Sequence, residues 1–335
     1  MNGIKCSPFL RTSVRSVVAA AILGCLLFPL QGGASEVMLD DSMSVSTESS
    51  GMKFEGWAGV GYLSGEAHEY VYWPSEGDHT ASELIWEIDS LYMFGTGGSL
   101  NPLGWLKVNA DLWFVLADGS GYMEDYDWID TGNPNWTHQS IHPDTDVTQG
   151  FMFDVNVEMT ALSTGSVSFV GIGGFRHDVF EWEARGGTYI YTENSFRDTS
   201  GTIPDGTLGI TYEQVWDVFY VGMGFDGDFN RLHMNAKFTY SPFVSGEATD
   251  QHHLRNLVTY DDFTMESMWA ITLGVGFDIT ERLNIAATYF YENYGTMTGD
   301  ATWHYNDTHT VTTYTDAAGA SLETSMLSAR MTYTF

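Results

Sequence analysis

Residues 106–116 alternate without a break. Leu106, Val108, Ala110, Leu112, Phe114 and Leu116 fall on one phase, and the mostly polar Lys107, Asn109, Asp111, Trp113 and Val115 on the other. Successive side chains of a strand point to opposite faces, so such a stretch has one apolar and one mostly polar face. The pattern returns at Phe151–Thr160, Arg231–Phe238 and Leu283–Phe290. A soluble sandwich also alternates, but its faces need fewer and less regular long strands. Strands with lipid on one side and a lumen on the other need this pattern.

The connections are uneven. Tight ones are expected at Gly95–Gly104, Ser163–Ser166, Asp226–Asn230 and Asp278–Arg282, and long polar ones near 64–81, 117–150, 180–207, 244–263 and 293–322. Strands near 53–63, 82–93, 104–116, 151–162, 166–179, 208–224, 230–243, 264–277, 282–292 and 323–335 make ten. The expectation is an all-β, ten-stranded antiparallel transmembrane β-barrel with long extracellular loops and short periplasmic turns. Its last strand, ending Met331, Tyr333, Phe335, carries an outward aromatic at the C-terminus.

Residues 1–34 read as a secretory leader: Lys5, Arg11 and Arg15 precede an apolar run from Val17 to Leu30 and the small residues Gly32-Gly33-Ala34. A lipoprotein leader ending at Cys25 is the alternative, with Leu23 where a small residue is usual. Residues 35–335 then form a single barrel domain. Both cysteines, Cys6 and Cys25, fall in the leader, so the mature domain has neither disulfide nor thiol. Removing the three leader cations takes the formal charge from −31 to −34. Such a surface repels nucleic acid and attracts cationic partners.

Two short stretches carry the chemistry. Asp125 and Asp127 lie two apart, as do Asp250 and His252, so each pair shares one face of an extended strand. If the odd, lumen-facing phase of 107–115 persists, Asp125 and Asp127 point inward. The second pair breaks phase: odd positions face inward at 231–237, whereas Asp250 and His252 are even. One bulge, at Pro242 or Gly246, would restore the inward direction. A His backed by a carboxylate, facing two carboxylates, suits a hydrolase that activates water.

These stretches resemble the omptins, outer-membrane proteases of Gram-negative bacteria. The likeness runs from about Phe54 to Phe335 and is carried by Asp125-Tyr126-Asp127-Trp128-Ile129-Asp130, Ser140-Ile141-His142-Pro143-Asp144-Thr145, Ala184-Arg185-Gly186-Gly187-Thr188-Tyr189-Ile190-Tyr191, Phe196-Arg197-Asp198 and Asp250-Gln251-His252. The resemblance implies an endopeptidase at the outer membrane with its active site facing outward. Asp250 and His252 would be the catalytic couple, Asp125 and Asp127 the opposing acids, and Ser140 and His142 further active-site residues. Glu69 would receive a basic side chain next to the scissile bond. Cationic peptides or proteins are the implied substrates, and a monomer is expected. Arg185 and Arg197 are expected to serve loop structure, and His253 to point away from the site.

Three points depart from the family or stay open. The second acid of the basic pocket aligns with Ala248, which implies a weaker or differently tuned preference for Arg or Lys. Lipopolysaccharide is implied as an activator, but two arginine positions that hold its phosphates fall at Val179 and Val215. Other residues, or a weaker lipid dependence, are the alternatives. No metal and no catalytic cofactor are expected: Asp125, Asp127 and Asp130 lack the Gly turn and closing Glu of a calcium loop, and His142, Asp144, Asp250 and His252 show no zinc spacing.

A non-enzymatic surface adhesin is the first rival to the protease. A passive channel is the second, opposed by Trp113, Phe290, Arg231 and Lys237 as expected lumen residues.

Overall fold

A computed structural model describes residues 52–77 and 79–335; the expected leader lies outside the described residues. The alternation becomes eleven strands: β1 (Lys53–Trp73), β2 (His79–Leu103), β3 (Leu106–Val115), β4 (Gly119–Asp127), β5 (His138–Thr164), β6 (Val167–Tyr191), β7 (Thr199–Phe229), β8 (Leu232–His252), β9 (Leu257–Asp278), β10 (Leu283–Tyr305) and β11 (Thr310–Thr334). Each pairs antiparallel with its neighbours, and β1 joins β11 from Glu55↔Thr334 to Val71↔Ala318. Closure leaves the sheet no free edge. Ten strands were expected. The eleventh arises because β3 and β4 follow one another along the same gap between β2 and β5.

The long polar loops need correction. Most of those residues continue the ladder, and the connections at that end shrink to 74–78, 128–137, 192–198, 253–256 and 306–309. Above an apolar band neither face of a strand has to be apolar, so the contrast that marks a strand in sequence fades while its hydrogen bonds persist. Connections at the other end are short, and two turn on left-handed residues, Gly165 (φ 62°) and Asn230 (φ 63°).

Toward the short-turn end the outer wall exposes Val60, Phe114, Met223, Phe238, Val275 and Leu327. A closed sheet presenting such a band meets lipid tails with every backbone group paired. Inside, Trp113 and Phe290 are buried. Arg176 bridges Asp154 (3.1 Å) and Glu292 (2.9 Å), and Lys237 pairs with Glu158. Arg231, expected inside, is exposed in the turn between β7 and β8.

β8 contains the phase change. Val218 of β7 opposes Val244, but Val221 opposes Tyr240, so β8 takes four steps where β7 takes three. The extra residue lies around Pro242, which has no N–H to leave unpaired. The Ser241 hydroxyl donates to Phe243 O (2.9 Å) and accepts from Phe243 N (3.0 Å). Ser241 is the last buried odd position, and Val244, Gly246, Ala248 and Asp250 then continue inward on even numbers.

An aromatic layer lies below the long-hairpin end. Trp86 opposes Ala67 and Met123, each two residues short of Glu69 and Asp125 on its strand. It stacks on Tyr212 with ring centroids 5.2 Å apart, and Trp182 lies 6.0 Å from Tyr212. Gln214 reaches across the interior, its Nε2 donating to Tyr212 Oη (3.0 Å), His68 O (3.2 Å) and Ser321 O (3.3 Å).

Candidate active site

β4 carries the first wall. Asp125 and Met123 are buried on its inward face, and Asp127 follows in the same phase. Ser82, opposite Asp127 on β2, donates from Oγ to Asp125 Oδ1 at 3.2 Å. Burial, then the neighbouring Asp127, pushes the Asp125 carboxyl up to about 7; Arg255, His252 and the Ser82 bond pull against it. Burial also raises Asp127. Two carboxylates so placed retain a proton near neutrality.

Ser140 opposes Asp125 on β5, and its Oγ lies 3.0 Å from His142 Nε2. His142 is buried, and burial outweighs a backbone hydrogen bond with Gly186 and holds its pKa down, so the ring is neutral at pH 7. Gly187 makes room beside it. Its φ is 112°, and a Cβ there would stand 2.2 Å from Ile141 O and 3.2 Å from His142 Nδ1. Only glycine tolerates both that backbone and that approach.

β8 supplies the second wall. Asp250 Oδ2 lies 2.6 Å from His252 Nε2, with Asp250 almost wholly buried. Burial alone would lower the His252 pKa, but the Asp250 charge and hydrogen bond outweigh it and the net shift is upward. Asp125 and His252 act on each other electrostatically, so the walls face one another. Arg255, exposed in the turn after β8, is a cation felt by Asp125, Asp127 and His252. An imidazole oriented by a carboxylate, facing a carboxyl pair that holds a proton, has the parts needed to activate water and protonate a leaving group.

Glu69, on the inward face of β1, is 3% exposed and its Oε2 has no partner. Burial, followed by the charges of Asp250 and Asp261, raises its pKa well above the usual carboxylate range.

The Omptin family model matches residues 52–335. The chain belongs to the omptin family. It is 29% identical to the plasminogen activator of Yersinia pestis over 94% of this chain and 99% of that protein. It is 30% identical to the outer membrane protease OmpP of Escherichia coli strain K12, over 82% and 88% respectively. The crystal structure of the outer membrane protease OmpT from Escherichia coli superposes with a TM-score of 0.80 at 24% identity, covering 84% of this chain and 97% of that one. This omptin is an outer-membrane peptidase acting on peptides or proteins.

In the omptin barrel the acids and His252 singled out in sequence come within electrostatic reach of one another, with Ser140 opposite Asp125 and Glu69 beside Asp250. His253 turns outward, its Nε2 2.9 Å from Thr211 Oγ1. Arg197 braces a loop, with Nη2 donating to Trp136 O at 2.8 Å and its guanidinium over the Trp136 ring. Arg185 pairs with Glu183. Val179 and Val215 are direct cross-strand partners, opposite in phase to the inward Asp178, Phe180, Gln214 and Trp216. Sequence reasoning missed Ser82, Arg255, Tyr212 and Asp261. No local pattern marks Ser82, and only strand pairing brings it to Asp125.

Proposed function

We propose that this omptin is an endopeptidase that cleaves next to basic residues by direct attack of water. His252, oriented by Asp250, takes a proton from the water as its oxygen bonds to the peptide carbonyl carbon. The imidazolium, stabilised by Asp250, returns the proton to the departing amine as the C–N bond breaks. Asp125 and Asp127 hold the water from the other wall and share a proton. Ser140 and His142 fix the Asp125 side of the cleft, and no covalent enzyme intermediate, metal or cofactor enters the scheme. Glu69 receives the basic side chain. The cleft opens to the extracellular side, where the −34 charge of the mature chain draws in cationic peptides and proteins. Lipopolysaccharide acts as the activating lipid, held by groups other than cations at Val179 and Val215.

The observation that carries the reading is the 2.6 Å Asp250–His252 pair within electrostatic range of Asp125. An internally quenched peptide library tests it, with refolded wild type, Asp125→Ala and His252→Ala, each with and without lipopolysaccharide and a chelator. Cleavage beside Arg or Lys that survives chelator and vanishes in both variants is expected. Chelator-sensitive cleavage, or activity retained in His252→Ala, refutes the scheme.

A further inference from the structure

The basic pocket was expected to lack its second acid, because Ala248 stands where one aligns. The pairing of β8 with β9 sets Asp261 directly opposite Ala248, and that of β9 with β10 sets it opposite Ala301. Directly opposed residues in an antiparallel pair share a face at close range, so all three side chains point inward. Asp261 is 5% exposed. Glu69 opposes Ala320 of β11, also buried. From Glu69 round to Asp261 the wall thus includes the small side chains of Ala320 and Ala301, with Met297 opposite Ala320 and Ala248 beyond.

Glu69 Oε2 and Asp261 Oδ1 are buried without a hydrogen-bond partner. The charged groups that act most strongly on either one are carboxylates: Asp250, through both its charge and a hydrogen bond, with Asp261 and Asp125 on Glu69, and Asp250 and Asp262 on Asp261. Below them, Tyr212 feels Glu69, Asp261 and Asp250 together and stacks on Trp86. Burying unpaired carboxylates is costly. That cost is recovered when a cation arrives with several N–H donors on an apolar stem.

We propose that Asp261 is a specificity-determining residue that, with Glu69, binds the guanidinium or ammonium group of the substrate side chain next to the scissile bond. The proposal rests on the proteolytic reading above. Burial, then Asp250 and Asp262, lifts the Asp261 carboxyl to about 8 before substrate enters. An entering cation replaces the retained proton, so basic side chains bind with proton release.

The test uses quenched peptides identical except for Arg or Gln next to the scissile bond. The ratio of kcat/KM on the two is measured for the wild type, Asp261→Asn, Asp261→Ala and the double variant Asp261→Ala with Ala248→Asp. Far-UV circular dichroism checks the barrel in each. The Arg-to-Gln ratio is expected to fall at least about tenfold in both single variants, the scale of a lost hydrogen bond to a charged group. Moving the acid across the pair should bring the ratio back toward the wild type, which a structural role for Asp261 would not do. An unchanged ratio, an equal loss on both peptides, or no recovery in the double variant overturns the proposal. A folded wild type that cleaves neither peptide under any lipid condition overturns the proteolytic reading itself.

Discussion

Asp250 Oδ2 and His252 Nε2 are 2.6 Å apart on the inward face of a single strand, and the carboxylate is the more deeply buried of the two. With Nε2 engaged, the proton of the neutral ring sits on that nitrogen and the lone pair on Nδ1 is left for water. An amide in place of the carboxylate can donate to Nε2 and favour the other tautomer. Asp250→Asn is therefore expected to lower kcat by about 10³–10⁴-fold with little change in KM. His252→Ala, which removes the base, should lose about 10²–10⁴-fold. Steady-state kinetics on one cleaved peptide checks both. Loss confined to KM would move the pair from chemistry to binding.

Arg255 sets where on the pH scale the cleft works. Its positive charge lowers the pKa of Asp125, Asp127 and His252 together. In the proposed scheme activity requires a neutral His252, so it rises with pH through the raised His252 pKa. It also requires a proton on the Asp125/Asp127 pair, so it falls as pH passes about 7, where Asp125 ionises. Arg255→Gln raises all three values and moves the whole bell to higher pH. Because Arg255 is exposed, the displacement should shrink in high salt. Profiles of kcat/KM at two ionic strengths measure it, and a displacement to lower pH would contradict the electrostatic account.

The buried acids tie stability to pH. Asp125 and Asp261 titrate near 7 and 8 in the folded chain, against about 4 for an ordinary aspartate. The folded state therefore keeps protons that the unfolded chain has released. This contribution is complete below about pH 4 and is lost as pH rises through 7 to 8. Amide hydrogen exchange in β8, β9 and β10 above the apolar band should be slower at about pH 6 than at about pH 9, after correction for intrinsic rates. Asp261→Asn, which cannot ionise, should narrow the difference.

Gly187 is a mechanical constraint on the same cleft. A methyl group there meets Ile141 O at 2.2 Å on a backbone with φ at 112°. Gly187→Ala should cost about 1–3 kcal/mol locally and displace His142. Activity falling together with faster hydrogen exchange in 138–145 is the expected pair of observations. Activity unchanged with exchange unaltered would remove His142 from the cleft's working parts.

Legibility in the sequence followed the contrast between lipid and water. Where the outer face meets an apolar band, as at Leu106–Val115, one phase must be apolar and the strand declares itself. Beyond the band that requirement ends. Gly119–Asp127 and the first residues of Thr199–Phe229 read as loop although they are strand. The Asp-x-Asp and Asp-x-His pairs were visible because their spacing alone places each pair on one face. Asp261 was not, since its meaning depends on pairing with Ala248 and on Glu69 from the far side of the barrel seam.

The bulge in β8 joins these two kinds of information, because odd positions face inward up to Ser241 and even ones from Val244. A shift of one residue turns every later side chain to the opposite face. Deleting Pro242 removes the residue that β8 has in excess, so β8 should pair with β7 without interruption while Ser241 and Val244, then two apart, both stay inward and Asp250 and His252 keep their direction. A kcat/KM within about tenfold of the wild type is therefore expected. The strands of the apolar band lie below the deletion, so the protein should still assemble as a barrel by far-UV circular dichroism. Pro242→Ala keeps the residue count and should stay within about tenfold of the wild type, since a bulge tolerates residues other than proline. If the folded deletion variant lost activity, β8 would have slipped in register instead of absorbing the bulge, and Asp250 and His252 would then face the outer wall.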